Sequence, residues 1–255
     1  EAENMNLDVN AGGTVNNTVL TRFYDAPPLN RREILRYAGC SEVPDKEILA
    51  VLDECLEEIR GRLSYKVCYS EFLLKYSCKN NESLSKNNDI DMSIDLGFAE
   101  VHSKALAYNL RGCRSIILFA ATIGIEIDRL IAKYSRISAV KALFFQAIGA
   151  ERIESLCDAF CKEMRAEAEM KGLFLRPRFS PGYGDLSLAV QKDIFAVLDC
   201  PRKIGITLNK SLLMSPSKSV TAIIGVCDEK PQCADNENKC ESCTKQDCAY
   251  RREEK

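Results

Sequence analysis

The sequence holds one histidine and no tryptophan among 255 residues. Acid–base chemistry built on imidazole has only His102 to draw on, and no nucleophile pairs with it by position, so no catalytic residue is assigned. No apolar run reaches the ~20 residues that a membrane-spanning helix requires. The opening EAENMNLDVNAGG contains no apolar stretch of the signal-peptide kind. A cytoplasmic protein without a membrane partner is therefore expected. Charge of one sign is lacking too: Lys+Arg 35 against Asp+Glu 37 gives a formal net charge of -2. That balance leaves no basic face to neutralise a run of phosphates, which excludes nucleic acid as the natural partner.

Cysteine, by contrast, is plentiful. Of the 13 in the chain, Cys40, Cys55, Cys68, Cys78, Cys113, Cys157, Cys161 and Cys200 are scattered through segments that read as helices and strands. Most of them read as buried thiols acting as small hydrophobes. Five more crowd the C-terminal end. The apolar content of 46% is enough for a sizeable core.

Residues 1–26 are polar, rich in Asn and Gly, and without periodicity, which predicts a flexible N-terminal arm. Asn30 with Glu33 forms a capping-box pattern ahead of a short helix, and Asp45 is placed to cap DKEILAVLDECLEEIRGRL. Leu63, Tyr65, Val67 and Tyr69 alternate as in a half-buried strand. SCKNNESLSKNND reads as an exposed connection. A short strand, a helix over FAEVHSKALAYNL carrying His102, the strand SIILFAAT and a helix starting near Gly124 follow. Ser138 opens the longest helix, which runs through Ala168 and ends near Gly172. Ser187 is placed to cap LAVQKDIFAVLD, and ITLNKSLLM and SVTAIIGV read as two strands joined like a hairpin through SPSK. Strands and helices mix without a regular repeat. The expected fold is a single α+β domain over 27–226, with a mostly antiparallel twisted sheet flanked by helices and a Cys-rich tail over 227–255.

Between the longest helix and the next lies RPRFSPGYGD, Arg176 to Asp185. Gly182 and Gly184 permit close approach of a ligand to the backbone. Arg178 offers a planar fork suited to a carboxylate, and backbone groups near Ser180 suit the edge of a purine. The same composition also suits a structural connection with surface arginines.

Arg178-x-x-Pro181-Gly182-Tyr183, followed by a helix with Gln191 and Lys192 and then by IGITLNKSLLMSPSKSVTAIIG, resembles the C-terminal activation domain of cobalamin-dependent methionine synthase. The order and spacing agree over about 176–226, and more loosely over 98–168. The resemblance implies that the loop holds S-adenosylmethionine. Arg178 would meet its carboxylate, the backbone of Ser180 its adenine, and Gly182 and Tyr183 would complete the grip, with the Met-x-Pro of the hairpin nearby. The family also places acidic side chains near the sulfonium and amino groups. Glu151 and Glu154 lie in the right part of the long helix, although the nearest register puts Ser155 at the carboxylate position. Glu154 is the residue assigned to the ligand. The implied function is that of an accessory protein: it would support reductive remethylation of cob(II)alamin in a separate cobalamin-dependent methionine synthase that lacks its own activation domain. S-adenosylmethionine would be the methyl donor, and a flavodoxin or ferredoxin the electron donor. A reactivator of another corrinoid methyltransferase fits the same resemblance.

In the tail, Cys233, Cys240, Cys243 and Cys248 supply four thiolates at spacings that suit zinc or an iron–sulfur cluster. They also admit a second reading, an electron-transfer or metal-sensing protein in which the tail is the active part. Cys227 reads as a packed thiol. Replacing both Cys240 and Cys243 by Ser is expected to release zinc or iron, measured by metal analysis, while calorimetry shows S-adenosylmethionine binding unchanged. Metal content that survives the double substitution would remove the tail from the assignment.

Overall fold

Central strands whose residues are apolar in unbroken runs must be covered on both faces, and the computed structural model shows that arrangement. It describes residues 18–40, 45–78 and 92–229. Five strands form the main sheet: β1 (Leu20–Tyr24), β2 (Tyr65–Leu73), β6 (Cys113–Thr122), β7 (Phe174–Leu175) and β10 (Ser219–Cys227). Their spatial order is β1-β2-β6-β10-β7, every pair antiparallel. A smaller sheet of β3 (Lys75–Cys78), β4 (Met92–Asp95) and β5 (Glu100–His102) stands beside it, and β8 (Thr207–Leu208) pairs with β9 (Met214–Ser215).

Strand alternation sorts the core into two halves. From β6 and β10, Phe119, Ala121, Ala222, Ile224 and Val226 enter one half, while Ile116, Leu118, Ala120, Ile223 and Cys227 enter the other. The first half is covered by α1 (Arg31–Tyr37), α2 (Lys46–Ile59), α4 (Glu126–Tyr134) and the long α5 (Ala139–Met170). The second is covered by α3 (Lys104–Asn109), α6 (Gln191–Leu198) and α7 (Cys200–Ile204). The expected α+β fold with an antiparallel sheet flanked by helices is the fold observed.

Local signals account for several boundaries. Asn30 accepts from the Glu33 N–H, and Ser138 from the Lys141 N–H, so both helices start where their caps predict. Asp45 occupies the N-cap position of α2 without a side-chain bond. Ser187 caps a three-residue 3-10 turn, Leu188–Val190, that leads into α6. That helix ends at Asp199, in a left-handed conformation, and Pro201 then sits in the first turn of α7, where its missing N–H is not needed.

Four expectations are corrected. Residues 20–24 do not continue the arm; they form an edge strand in register with β2, Leu20 opposite Tyr69 and Tyr24 opposite Tyr65. FAEVHSKALAYNL is not one helix. Ser103 accepts from the Leu106 N–H and starts α3, so Val101 and His102 belong to β5. The helix expected over LAVQKDIFAVLD is divided into the 3-10 turn and α6. ITLNKSLLM and SVTAIIGV do not pair: β8 closes on β9, which straddles the end of the first run and the start of SPSK, and β10 pairs along its length with β6. Residues 1–17 of the arm, most of the exposed connection and the four tail cysteines lie outside the described residues.

Cys55, Cys68, Cys113, Cys157, Cys200 and Cys227 are buried free thiols, packed as the sequence suggests. The sulfurs of Cys113 and Cys227 lie 2.9 Å apart, and burial pushes the Cys113 thiol up to about 12. In the first half-core, the Phe160 ring packs at a tilt against Phe119 and Tyr69, with centroids 4.8 and 5.3 Å away, and has no exposed surface. Phe160→Ala is expected to lower the unfolding free energy by about 3–5 kcal/mol through lost burial and an unfilled cavity. Urea denaturation measures it; a loss well under 1 kcal/mol would show that α5 is not seated on β2 and β6 as described.

Candidate functional site

The chain leaves α5 through a tight turn, adds β7 to the edge of β10, and then runs beside that edge as the loop 176–185. Arg176 N donates to the Gly225 carbonyl at 2.8 Å, and Phe179 and Ile223 exchange two backbone hydrogen bonds, each 2.8 Å. The Phe179 ring packs against the second half-core. Its neighbour Arg178 therefore turns to the α5 face, as strand alternation requires. There its Nη2 meets Glu154 Oε2 at 2.5 Å and Asp158 Oδ1 at 3.2 Å. Glu154 and Asp158 are four residues apart on α5, hence on one helix face.

Burial opposes charge on Arg178, but its neighbours Cys157, Glu154 and Asp158 outweigh it and hold the guanidinium pKa above its ordinary value. Burial pushes the Cys157 thiol well up, so it is neutral, and the two carboxylates carry the effect. Arg178 Nη1 is buried and has no hydrogen-bond partner. One edge of the fork is thus taken by the protein and the other is not.

Beyond Arg178 the loop turns sharply. Tyr183 N donates to the Ser180 carbonyl at 3.1 Å, Gly182 N to Leu186 O at 2.9 Å, and Leu186 N to Tyr183 O at 3.1 Å. Gly182 has φ 88, the left-handed region that glycine enters without penalty. Pro181 is buried and Tyr183 is 67% exposed. Asp185 closes the loop: it accepts from the Ser103 hydroxyl and from the N–H groups of Lys104 at 2.7 Å and Ala105 at 3.1 Å.

Of the residues singled out in the sequence, Arg178 and Glu154 are brought into direct contact, and Ser180, Gly182 and Tyr183 share the adjoining turn. Glu151 is directed elsewhere. It is buried, pairs with Arg152 at 2.5 Å, and accepts from Asn30 N at 3.0 Å and the Ser155 hydroxyl at 2.8 Å. Met214 packs against the second half-core. His102, the last residue of β5, directly precedes Ser103, which holds Asp185, but is not among the residues that bond to the loop. Sequence reasoning missed Asp158, whose signal was its i,i+4 spacing from Glu154, and the role of Asp185. Among the described residues no group of three or more His, Cys, Asp or Glu is placed to hold a metal. A cleft of about 620 Å³ between α2, α5 and the chain after β1, lined by Tyr24, Tyr65, Leu56 and Arg152, lies apart from the loop.

No family model matches the chain, and no curated protein matches it. Among solved structures, a crystal structure of the MetH reactivation domain bound to AdoHcy superposes with a TM-score of 0.55 and 13% identity, over 84% of this chain and 80% of that one. The chain has the fold of the MetH reactivation domain. Within that reactivation-domain fold, the loop of Arg178 and the helix face of Glu154 and Asp158 form the polar cluster described above.

The Ser103 hydroxyl, then the N–H groups of Lys104 and Ala105, hold the Asp185 carboxyl below the usual carboxylate range, against a smaller opposing effect of burial. A depressed carboxyl stabilises the fold above its unfolded pKa, about 4, and loses that contribution as pH falls through the folded value. The urea midpoint of wild type is thus expected to exceed that of Asp185→Asn by a constant margin from neutral pH to about 4, and the margin to shrink below it. A margin unchanged at the acid end would disprove the charge dependence of these bonds.

Proposed function

We propose that this chain binds S-adenosylmethionine at the loop Arg178–Tyr183. In this reading it serves as an accessory protein in the reductive remethylation of cobalamin in a separate methionine synthase that lacks its own activation domain. The observation that carries the reading is Arg178, within the fold of a domain whose crystal structure holds AdoHcy: its Nη1 has no protein partner, and its side chain, about a quarter exposed, suits an amino-acid carboxylate. Arg178 with Glu154 and Asp158 sums to +1 - 2 = -1. A net negative cluster favours a ligand that carries a sulfonium and an ammonium group.

In the proposed complex Arg178 orients the ligand carboxylate, Glu154 faces its positive end, the backbone of Ser180 reads adenine, and Gly182 lets the chain approach closely. Tyr183, two-thirds exposed, packs across the ligand. The cobalamin of the partner supplies the nucleophilic metal centre when reduced, with the electron coming from a flavodoxin or ferredoxin. This chain contributes placement and charge, and its own residues need no general base. A cytoplasmic location accords with the lack, among the described residues, of any helix long and apolar enough to cross a membrane. Zinc or an iron–sulfur cluster on Cys233, Cys240, Cys243 and Cys248 is a proposal resting on their spacing.

Calorimetry with S-adenosylmethionine and its demethylated product tests the reading. Wild type is expected to bind both, and Arg178→Ala to weaken binding by about 1.5–3 kcal/mol, the worth of a hydrogen bond to a charged group. Equal affinity of variant and wild type would refute the assignment of Arg178.

A further inference from the structure

The ligand loop is fastened to α3 at both of its ends. At its start, Arg176 Nη2 donates to the Arg111 carbonyl at 2.6 Å and Asn109 Nδ2 donates to the Pro177 carbonyl at 3.3 Å. Both partners belong to the C-terminal end of α3 and the turn after it. At its finish, Asp185 takes the N-terminal end of the same helix through Ser103, Lys104 and Ala105. Ser103 in turn accepts from Leu106 N at 3.0 Å, so helix cap and loop are joined through one hydroxyl. The approach is close: a Cβ on Gly184, which has φ 55, would lie 2.8 Å from the Ala105 Cβ.

Between those anchors the loop is held by the Phe179–Ile223 pair, by the contacts of Arg178 with Glu154 and Asp158 and by its own short turns, while Gly182, Tyr183 and Gly184 are exposed. With its ends fixed, the direction of the Ser180–Tyr183 turn is set by where α3 holds Asp185. A loop freed at one end samples other conformations, and apparent affinity falls in proportion to the fraction that stays competent.

We infer that Asp185 is a positioning residue for the ligand loop, holding the Ser180–Tyr183 turn in its binding conformation through the start of α3. The inference rests on the reading of the loop as the S-adenosylmethionine site. The carboxylate is suited to this because its two oxygens accept three hydrogen bonds: Oδ1 from Ser103 and Ala105, Oδ2 from Lys104. Asn retains the first oxygen and sets an amide donor against the Lys104 N–H. Ala retains neither.

Amide hydrogen exchange and calorimetry on the full chain, with Asp185→Ala and Asp185→Asn, test it. Asp185→Ala is expected to speed exchange at Gly182, Tyr183 and Leu186 by about tenfold or more, and to speed Phe119 and Ile224 in β6 and β10 by no more than its fall in urea midpoint accounts for. Affinity for S-adenosylmethionine is expected to fall by at least about tenfold in the Ala variant, with Asn between it and wild type. Loop exchange at the wild-type rate overturns the inference, as does equal acceleration throughout β6 and β10. Faster loop exchange with unchanged affinity overturns the positioning role. If wild type itself binds no S-adenosylmethionine, the ligand reading has failed and with it the positioning role, while the exchange rates still decide whether Asp185 fastens the loop. Should Asp185→Ala not fold, Asp185→Asn and Ser103→Ala are scored by the same criteria.

Discussion

The backbone pair between Phe179 and Ile223 determines how the site is assembled. β10 is buried on both faces and bonded to β6 along one edge, so its other edge is left with unpaired N–H and C=O groups. β7 covers only its last two residues. The loop covers part of the rest, exchanging hydrogen bonds at Phe179, and this fixes which neighbouring side chain faces which layer. Phe179 goes to the apolar side, and Arg178 must then face α5. A slip of one residue would drive the guanidinium into the second half-core and leave Glu154 and Asp158 without a cation. The same backbone bonds that satisfy an exposed sheet edge thus aim the arginine.

Glu151 and Glu154, two carboxylates of α5, show how position on one helix separates structure from chemistry. Glu151 is buried with Arg152, whose Nη1 and Nη2 also donate to the Pro27 and Pro28 carbonyls. That set fastens the segment before α1 to the long helix. Breaking such a buried pair by deleting one partner costs about 3–5 kcal/mol because the other charge is left unpaired. Glu154, about one turn further on, has moved round to the more exposed face and pairs with Arg178, where solvent screens the interaction. Its value is therefore less in holding the fold than in setting the sign of the cluster.

The parts of the fold that were legible in the sequence are those fixed by local chemistry: the caps at Asn30 and Ser138, the length of α5, and the unbroken apolar runs of β6 and β10. The errors arose where a distant partner decides. β1 is five residues long beside a polar segment, and it is a strand because β2 offers it an edge. β10 resembled the second half of a hairpin, but a strand apolar on both faces needs central neighbours, and β6 supplies one. The helix expected over FAEVHSKALAYNL contains Ser103, which begins α3 by capping it and so assigns His102 to β5. In the site, the loop itself could be read from its Pro and Gly pattern and its resemblance. The contact of Arg178 with Glu154 and Asp158 could not, since it depends on the register of the loop along β10.

Asp185 carries the same point further. A helix cap is normally sought in the residue just ahead of the helix, and Ser103 occupies that place in α3. Ser103 satisfies Leu106, which leaves the N–H groups of Lys104 and Ala105 to be met from elsewhere. A helix as short as α3 has little stability of its own. It is held by the loop that caps it, and the loop by the helix, so neither is fixed until both are formed. Such mutual dependence gives the loop definite geometry without burying it, which is what the proposed ligand grip requires.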